Sequence, residues 1–409
     1  MHIGLMKRKF DIIVVGAGIN GKVMSLAAAH QGFSVGLIDQ KKIVEDTLQK
    51  FDGRAYAIAF SSVQMLKNLN LWDKICETAQ PVLNIKVSHG TLTGGPSSSS
   101  ITFKNADIEE SPMAQMVEDR YLRQCLSSEI KKNNLVEVIE QKKVGQIIDY
   151  NAKKQLILSD SSKIQASLVV ASDGIVSPIS KIMGIRKTGW RYKQSGLVCA
   201  VQHEYCSKNT AYQHFLPEGP LAILPLQNNI ASIVWTENIQ NASTISKMTD
   251  DEYLGALHKR FGDFLGQLKL TGKRSSFPLS LSIAEKYVTN NFAVIGDSAH
   301  GYHPIAGQGL NAGFRDVAAL VDVITSARDR GENFSSLNVL NRYQEWRRFD
   351  NQTLGFATDN FNKMFSSYNP LLRSVRNFGM NIIDKSGYGK RAFMKQAAGL
   401  NGDLPTLMR

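Results

Sequence analysis

The 409-residue sequence predicts an α/β fold with a parallel sheet assembled from discontinuous segments, an inserted mostly-β domain and a helical C-terminal region. Three observations predict it. Phe10–Val15 is a continuous apolar run, a glycine-rich turn follows, Val23–His30 reads as a helix ending at Gly32, and Ser34–Ile38 reads as a second strand. Strand, turn, helix and strand within about thirty residues make a βαβ unit. Far downstream the pattern recurs: Phe292–Ile295 is a strand, a glycine-rich loop runs to Gly309, and a helix continues to about Ala327. Between them, from Trp190 to about Pro278, short β-type segments are punctuated by Gly and Pro, and Leu221–Leu226 is placed to pair with Ala231–Thr236.

The remaining elements follow the same rules. Glu118–Lys132 and Thr249–Phe264 have helical spacing, Val144–Ile148 and Gln155–Leu158 alternate, and Ser167–Ala171 is a buried-type strand ending at Asp173-Gly174. Gly94–Ser100 reads as a turn between extended segments. From Leu337 to Gly399 the chain reads as almost wholly helical.

Composition narrows the function classes. With 43% apolar residues the chain folds rather than staying disordered, and it has no apolar run long enough to span a bilayer. No cleavable leader is expected, because the glycine motif interrupts the apolar run after Lys7, Arg8 and Lys9. Cys76, Cys125, Cys199 and Cys206 show no Cys-x-x-Cys spacing, so neither a disulfide framework nor a metal site is expected, and the expected compartment is the reducing cytoplasm. The net charge is +12, and residues 328–409, with 13 Lys+Arg against 7 Asp+Glu, carry +6 of it. No groove-reading or base-stacking motif accompanies the charge, so nucleic acid is not an expected partner.

The chemistry is concentrated in two glycine motifs. Gly16-Ala17-Gly18-Ile19-Asn20-Gly21 lies between a strand and a helix. Its first Gly permits the tight turn, the second admits a pyrophosphate, and the third lets helix and strand pack closely. Asp39 ends the second strand, where a carboxylate meets ribose hydroxyls. The bound group is therefore a dinucleotide. Gly296-Asp297-Ser298-Ala299-His300 and His303-Pro304-Ile305-Ala306-Gly307-Gln308-Gly309-Leu310-Asn311 form the second motif. A carboxylate after a strand accepts hydrogen bonds from a sugar-alcohol chain, and a helix N-terminus stabilises negative charge on a reduced flavin. An NAD dehydrogenase has no use for this second element, which points to FAD.

Together these motifs resemble the flavin-dependent aromatic hydroxylases of the para-hydroxybenzoate hydroxylase type, and within them the ubiquinone-biosynthesis hydroxylase family. The resemblance covers nearly the whole chain. Asp52-Gly53-Arg54 resembles a segment whose Arg lies by the flavin, and Arg120-Tyr121-Leu122 one whose Arg touches its phosphate or ribityl region. Asp173-Gly174 with Ser177 resembles a motif serving flavin and nicotinamide nucleotide together. Gly219–Leu226, with Val234-Trp235-Thr236 downstream, resembles the substrate-domain sheet. Ser180, with Lys181 beside it, stands where the family usually has Arg, a departure that bears on the nicotinamide contact because Lys lacks the planar fork of Arg. Ser298 replaces a commoner Ala.

The resemblance implies a discontinuous Rossmann-like FAD-binding domain (1–80, 116–189, 285–330), an inserted substrate domain (81–115, 190–284) and a C-terminal helical region (331–409). It implies FAD reduced by NADH or NADPH, then reaction with O₂ to give a flavin hydroperoxide that oxygenates a polyprenylated phenol. The cofactor-binding residues expected are Gly16, Gly18, Gly21, Asp39, Arg54, Arg120, Asp173, Gly174, Gly296, Asp297, Pro304, Gly307, Gly309, Leu310 and Asn311. No catalytic base is assigned: His303 lies in the flavin-side loop, but it, His300, His203 and His214 are read first as structural, and Trp235 as core. Leu371, Leu372, Val375, Phe378 and Ile382 make an apolar stripe flanked by Arg373, Arg376, Lys385, Lys390, Arg391 and Lys395. An ordinary packed helix is the simpler reading of that stripe; the sharper one is a peripheral contact with the inner face of the membrane or with a biosynthetic complex. A non-catalytic flavoprotein subunit scaffolding such a complex is the alternative function. A halogenase is disfavoured because Trp72, Trp190, Trp235 and Trp346 form no Trp-x-Trp.

Overall fold

The structure, a computed structural model, describes residues 8–43, 48–91, 95–105, 112–365, 391 and 394–409. Its centre is the strand Arg8–Val15, whose Ile12, Ile13 and Val14 are fully buried. It pairs in parallel with Val35–Ile38 on one side and Lys163–Ala171 on the other. Val136–Ile139 and Phe292–Val294 continue the parallel sheet outward. Helices Ile19–His30 and Gln308–Asp329 pack on each other and Asp119–Lys132 packs on the first of them, which is why these strands read as continuous apolar runs.

Register gives this sheet its functional edge. Val15 is level with Ile38 and with Ala171, Ala171 with Val294, and Ile38 with Ile139. The carboxyl ends of five strands, drawn from distant parts of the chain, therefore finish in one row. Ligands of open α/β sheets bind along such a row.

A second, eight-stranded sheet runs in the order 300–301, 268–284, 187–203, 230–238, 219–226, 210–216, 84–91 and 95–104, with one parallel pair, Thr210–Leu216 beside Asn84–Thr91. Leu197, Cys199, Val201, Leu221, Ile223, Ile233 and Trp235 alternate along its strands and pack one face onto helices Ile239–Ser246 and Asp250–Phe261. Thr249 caps the latter helix in a capping box with Glu252, and Gly262 ends it at φ +83°. A three-stranded sheet, Ala55–Ala59, Ala114–Glu118 and Gln80–Val82, stands beside the row of strand ends. The long helix Leu337–Phe365 contacts both Gln308–Asp329 and the large sheet.

Several expectations need correction. Gly95–Lys104 is a strand from its first residue, with Gly95 paired to Thr91 and Pro96 to Gly90. It is the edge strand of the large sheet, where a proline lacking N–H costs no ladder bond. Helices Phe60–Asn68 and Ile239–Ser246 were not expected; Ser-rich sequences have middling helix propensity, and packing of Met65, Leu66, Ala242 and Ile245 supports them. The stripe Leu371, Leu372, Val375, Phe378 and Ile382, with Arg373, Arg376, Lys385 and Lys390, lies outside the described residues. No helix of the described residues is long and apolar enough to cross a membrane.

Candidate functional site

The row of strand ends opens onto a cleft of about 1190 Å³. Gly16, Gly18, Asp39, Arg54, Arg120, Asp173, Gly174, Asp297 and Leu310 line it together. Gly16 leaves the central strand at φ +104°, where a Cβ would lie 2.3 Å from the Ser172 carbonyl oxygen. A Cβ on Gly21 would lie 1.8 Å from the Gly16 oxygen, so Gly21 serves helix packing rather than the cleft surface. On Gly18 a Cβ would meet nothing within 4 Å, which leaves open space over the backbone at the start of helix Ile19–His30. Asp39 accepts from the Ala17 N–H at 2.7 Å and the Lys41 N–H at 2.8 Å, so it shapes the turn while keeping acceptor capacity toward the cleft.

The opposite wall carries the arginines. Asp119, buried at the end of Ala114–Glu118, accepts from Tyr56 Oη at 2.8 Å and Arg123 Nε at 2.7 Å, and pairs with Arg54 at 3.0 Å. Arg54 also pairs with Asp52 at 2.8 Å. Arg120 pairs with Glu118 at 2.6 Å and lies over the Tyr121 ring. Lys22, Lys41, Lys42, Lys50, Lys142, Lys143 and Lys273 also reach the cleft, and its charge suits a pyrophosphate.

Asp173 and Asp297 are joined behind the cleft. Ser298 Oγ donates to Asp173 Oδ1 at 2.9 Å and accepts from the Gly174 N–H at 3.1 Å. Ser177 Oγ donates to the same carboxylate at 2.5 Å, and Ile179 N–H to its other oxygen at 3.0 Å. Ser180 is buried against Ser177, and Lys181, next to it in the same short helix, is exposed, so neither reproduces an arginine fork in the cleft. Lys187 was not foreseen. Its Nζ donates to the Ile175 oxygen at 2.8 Å and the Asp297 oxygen at 3.2 Å, and burial lowers its pKa to about 8. Asp297 opens onto the cleft, and desolvation by the surrounding protein pushes its carboxyl upward.

A buried ion cluster fixes the turn that carries Asp297. Asp316 accepts from His300 Nε2 at 2.6 Å, Arg347 Nε at 2.9 Å, Asn351 Nδ2 at 3.0 Å and the Gly296 N–H at 3.0 Å. Burial alone would raise its pKa, but His300 and Arg347 bring it down to about 2. Gly296, at φ +54°, leaves room for the Asn20 amide. Asn311 does not face the cleft: it accepts from the Ala59 N–H and donates to the Ala57 oxygen, each at 2.9 Å, pinning helix Gln308–Asp329 to the small sheet. Pro304, Gly307 and Gly309 likewise build the entry to that helix without lining the cleft, with Gly307 at φ +61° as its N-cap.

Beyond this helix entry lies a second surface. The large sheet turns its other face toward residues 51–54: Ser232 Oγ donates to the Gly53 oxygen at 3.1 Å. On that face Val198, Val234 and Ala222 pair across three strands, and all three are only half-buried, as is Leu224. Apolar side chains left partly open at the middle of a sheet mark room for an apolar ligand. The segment 303–310 runs from the large sheet to the cleft, with the His303 ring against Tyr192 and Leu310 in the cleft.

A level row of strand ends with a glycine turn, beside an apolar compartment on a second sheet, defines a dinucleotide-binding α/β protein that presents a small molecule to its cofactor. The chain belongs to the FAD binding domain family, whose model matches residues 9–349, and FAD is its cofactor. It is 34% identical to the ubiquinone hydroxylase UbiL of Rhodospirillum rubrum, covering 98% of this chain and 92% of that protein. It is 32% identical to the 3-demethoxyubiquinol 3-hydroxylase of Escherichia coli, over 95% and 98%. Among solved structures, p-nitrophenol 4-monooxygenase PnpA of Pseudomonas putida DLL-E4 shares the fold with a TM-score of 0.79 at 17% identity, over 97% of this chain and 99% of that one.

Proposed function

We propose that this protein is an FAD-dependent aromatic hydroxylase of ubiquinone biosynthesis that uses NADH or NADPH and O₂ to add one oxygen atom to a polyprenylated phenol. The observation that carries this reading is a dinucleotide cleft in the same chain as a large sheet whose central Val198, Val234 and Ala222 are left half-buried. Relatives that are named as hydroxylases over nearly their full length support it and leave a non-catalytic scaffold without support.

The residues fit the cofactor. Gly16 and Gly18 bring backbone N–H groups to the pyrophosphate, with Gly21 closing the helix onto the turn. Asp39 meets the ribose; Arg54, Arg120, Asp173, Gly174, Gly296 and Asp297 hold the middle of the molecule. Pro304, Gly307, Gly309, Leu310 and Asn311 shape the N-terminus of helix Gln308–Asp329, whose positive end would favour negative charge on the reduced flavin. Bound FAD supplies the redox and oxygen-transfer chemistry, and the chain binds, orients and excludes water. Residues 1–80, 116–189 and 285–330 form the cofactor domain, and 81–115 with 190–284 the substrate domain. The protein acts from the cytoplasm through a peripheral contact with the membrane's inner face or a biosynthetic complex. The +6 of residues 328–409 and the exposed Phe349 and Phe356, seven residues apart on one helix face, support that placement.

The test is ¹⁸O₂ consumption by yellow, FAD-loaded protein with NADH or NADPH and a prenylated phenol. Incorporation of one labelled oxygen into the ring, with reductant oxidation accelerated by the phenol, is expected. Reductant oxidation that yields only hydrogen peroxide across a panel of prenylated phenols would overturn the reading.

A further inference from the structure

Among the described residues four histidines are buried: His203, His214, His300 and His303. Three are anchored. His203 Nδ1 meets the Tyr205 oxygen at 2.7 Å, His214 Nδ1 meets Ser88 Oγ at 2.6 Å, and His300 Nε2 meets Asp316 at 2.6 Å. His303 is 1% exposed, and neither of its ring nitrogens has a partner. A histidine that capped its own loop would show a bond from one nitrogen to that loop. Native proteins rarely leave both nitrogens of a buried imidazole unpaired, and such a group calls for an explanation.

The surroundings supply none of the missing partners. The ring meets Tyr192 edge-on at 5.2 Å between centroids. Tyr192 Oη is already committed to Asp359 Oδ1 at 2.9 Å, and the other Asp359 oxygen to Lys363 at 2.7 Å. Within this group His303 is the side chain left with no hydrogen bond at either polar atom. Its place is telling. It begins the segment that ends at Leu310 in the cleft, and its ring lies against Tyr192, on the same strand of the large sheet as the half-buried Val198.

We propose that His303 is the hydrogen-bonding anchor for the hydroxyl group of the phenolic substrate, an inference that rests on the hydroxylase reading above. The ligand it selects is a neutral phenol. Desolvation lowers the imidazole pKa to about 4 despite the nearby Asp359, so the ring is uncharged at neutral pH and offers one acceptor and one donor. An uncharged imidazole near a carboxylate gives no compensation to an anionic ring substituent, whereas a phenolic O–H donates to it at no charge cost.

The experiment compares FAD-loaded wild type with His303→Phe and His303→Gln. Each is titrated with 2-geranylphenol and with its methyl ether, which has no O–H to donate, while the flavin absorbance is followed. Wild type should bind the phenol more tightly than the ether. His303→Phe should weaken the phenol about tenfold, as loss of a well-made hydrogen bond does, and leave the ether unchanged. His303→Gln, which keeps a donor and an acceptor, should recover part of the preference, and it carries the test if the Phe variant fails to fold. Turnover should show the loss mainly in KM for the phenol. Undiminished preference for phenol over ether in a folded variant overturns the anchor while leaving the hydroxylase reading intact. Wild-type protein that neither binds nor hydroxylates any prenylated phenol overturns both.

Discussion

The parallel sheet and the large antiparallel sheet present their working faces by opposite means. Along the parallel sheet the cleft is made by strand ends, and each contribution is a turn whose conformation its own sequence dictates: Gly16 at φ +104°, Gly174 at +89°, Gly296 at +54°. On the large sheet the surface is made by mid-strand side chains, and among the described residues Val198, Val234 and Ala222 are only half-buried there. The first kind of site is rigid and specific for a shape common to many chains. The second kind changes with any side chain on the face, so under the proposed function it is where substrate choice would be set.

The sharpest way to break that comparison is at the glycine turn. A Cβ at position 21 would lie 1.8 Å from a backbone oxygen that cannot swing away. Gly21→Ala should therefore force the turn open and abolish FAD retention, measured as flavin absorbance per protein after gel filtration. Normal flavin content would show that the helix can back away from the strand and that the turn is less fixed than its geometry implies.

This contrast also explains what the sequence disclosed. Gly16, Gly18 and Gly21, the βαβ unit and the 296–311 motif were legible because the constraint and the residue that meets it are neighbours in the chain. Lys187, the Tyr192–Asp359 pair and the half-open row were not, since their partners lie on other strands or a helix more than a hundred residues away in most cases. Asn311 was placed with the cofactor because it ends the motif, yet its side chain is spent on Ala57 and Ala59. Gly94–Ser100 misled because Gly, Pro and Ser signal turns unless the strand is an edge, and an edge is a tertiary fact.

A smaller effect is expected behind the cleft. Asp316 holds Gly296, His300 and Arg347 at once, and both side-chain partners are buried with it. Asp316→Asn should leave Arg347 undercompensated and cost about 3–5 kcal/mol in chemical unfolding, with flavin released early in the transition. The acid limb provides a second check. The folded pKa of about 2 lies below the ordinary 3.8, so the carboxylate contributes stability above about pH 4 that is lost as pH falls toward 2. The variant should lack that part of the acid slope. An unchanged slope would assign it to other carboxylates, with Asp316 reduced to a packing group.

The smallest effect on the fold, and the cleanest separation of the two faces, should come from Val234→Trp. Val234 sits between Val198 and Ala222 on the open face, while its neighbours Ile233 and Trp235 point into the opposite core. Val234 is only half-buried, so a bulkier ring there meets fewer packed side chains than one in the core and much of the usual overpacking cost is avoided. Flavin content and thermal midpoint should stay close to wild type, whereas KM for a prenylated phenol should rise about tenfold with a smaller change in kcat, the signature of lost ground-state binding. If flavin is lost as well, the two compartments are coupled through the 303–310 segment and the large sheet helps to hold the cofactor. If neither quantity moves, the substrate lies elsewhere on the sheet, and Leu224, farther along the same face, becomes the next position to fill.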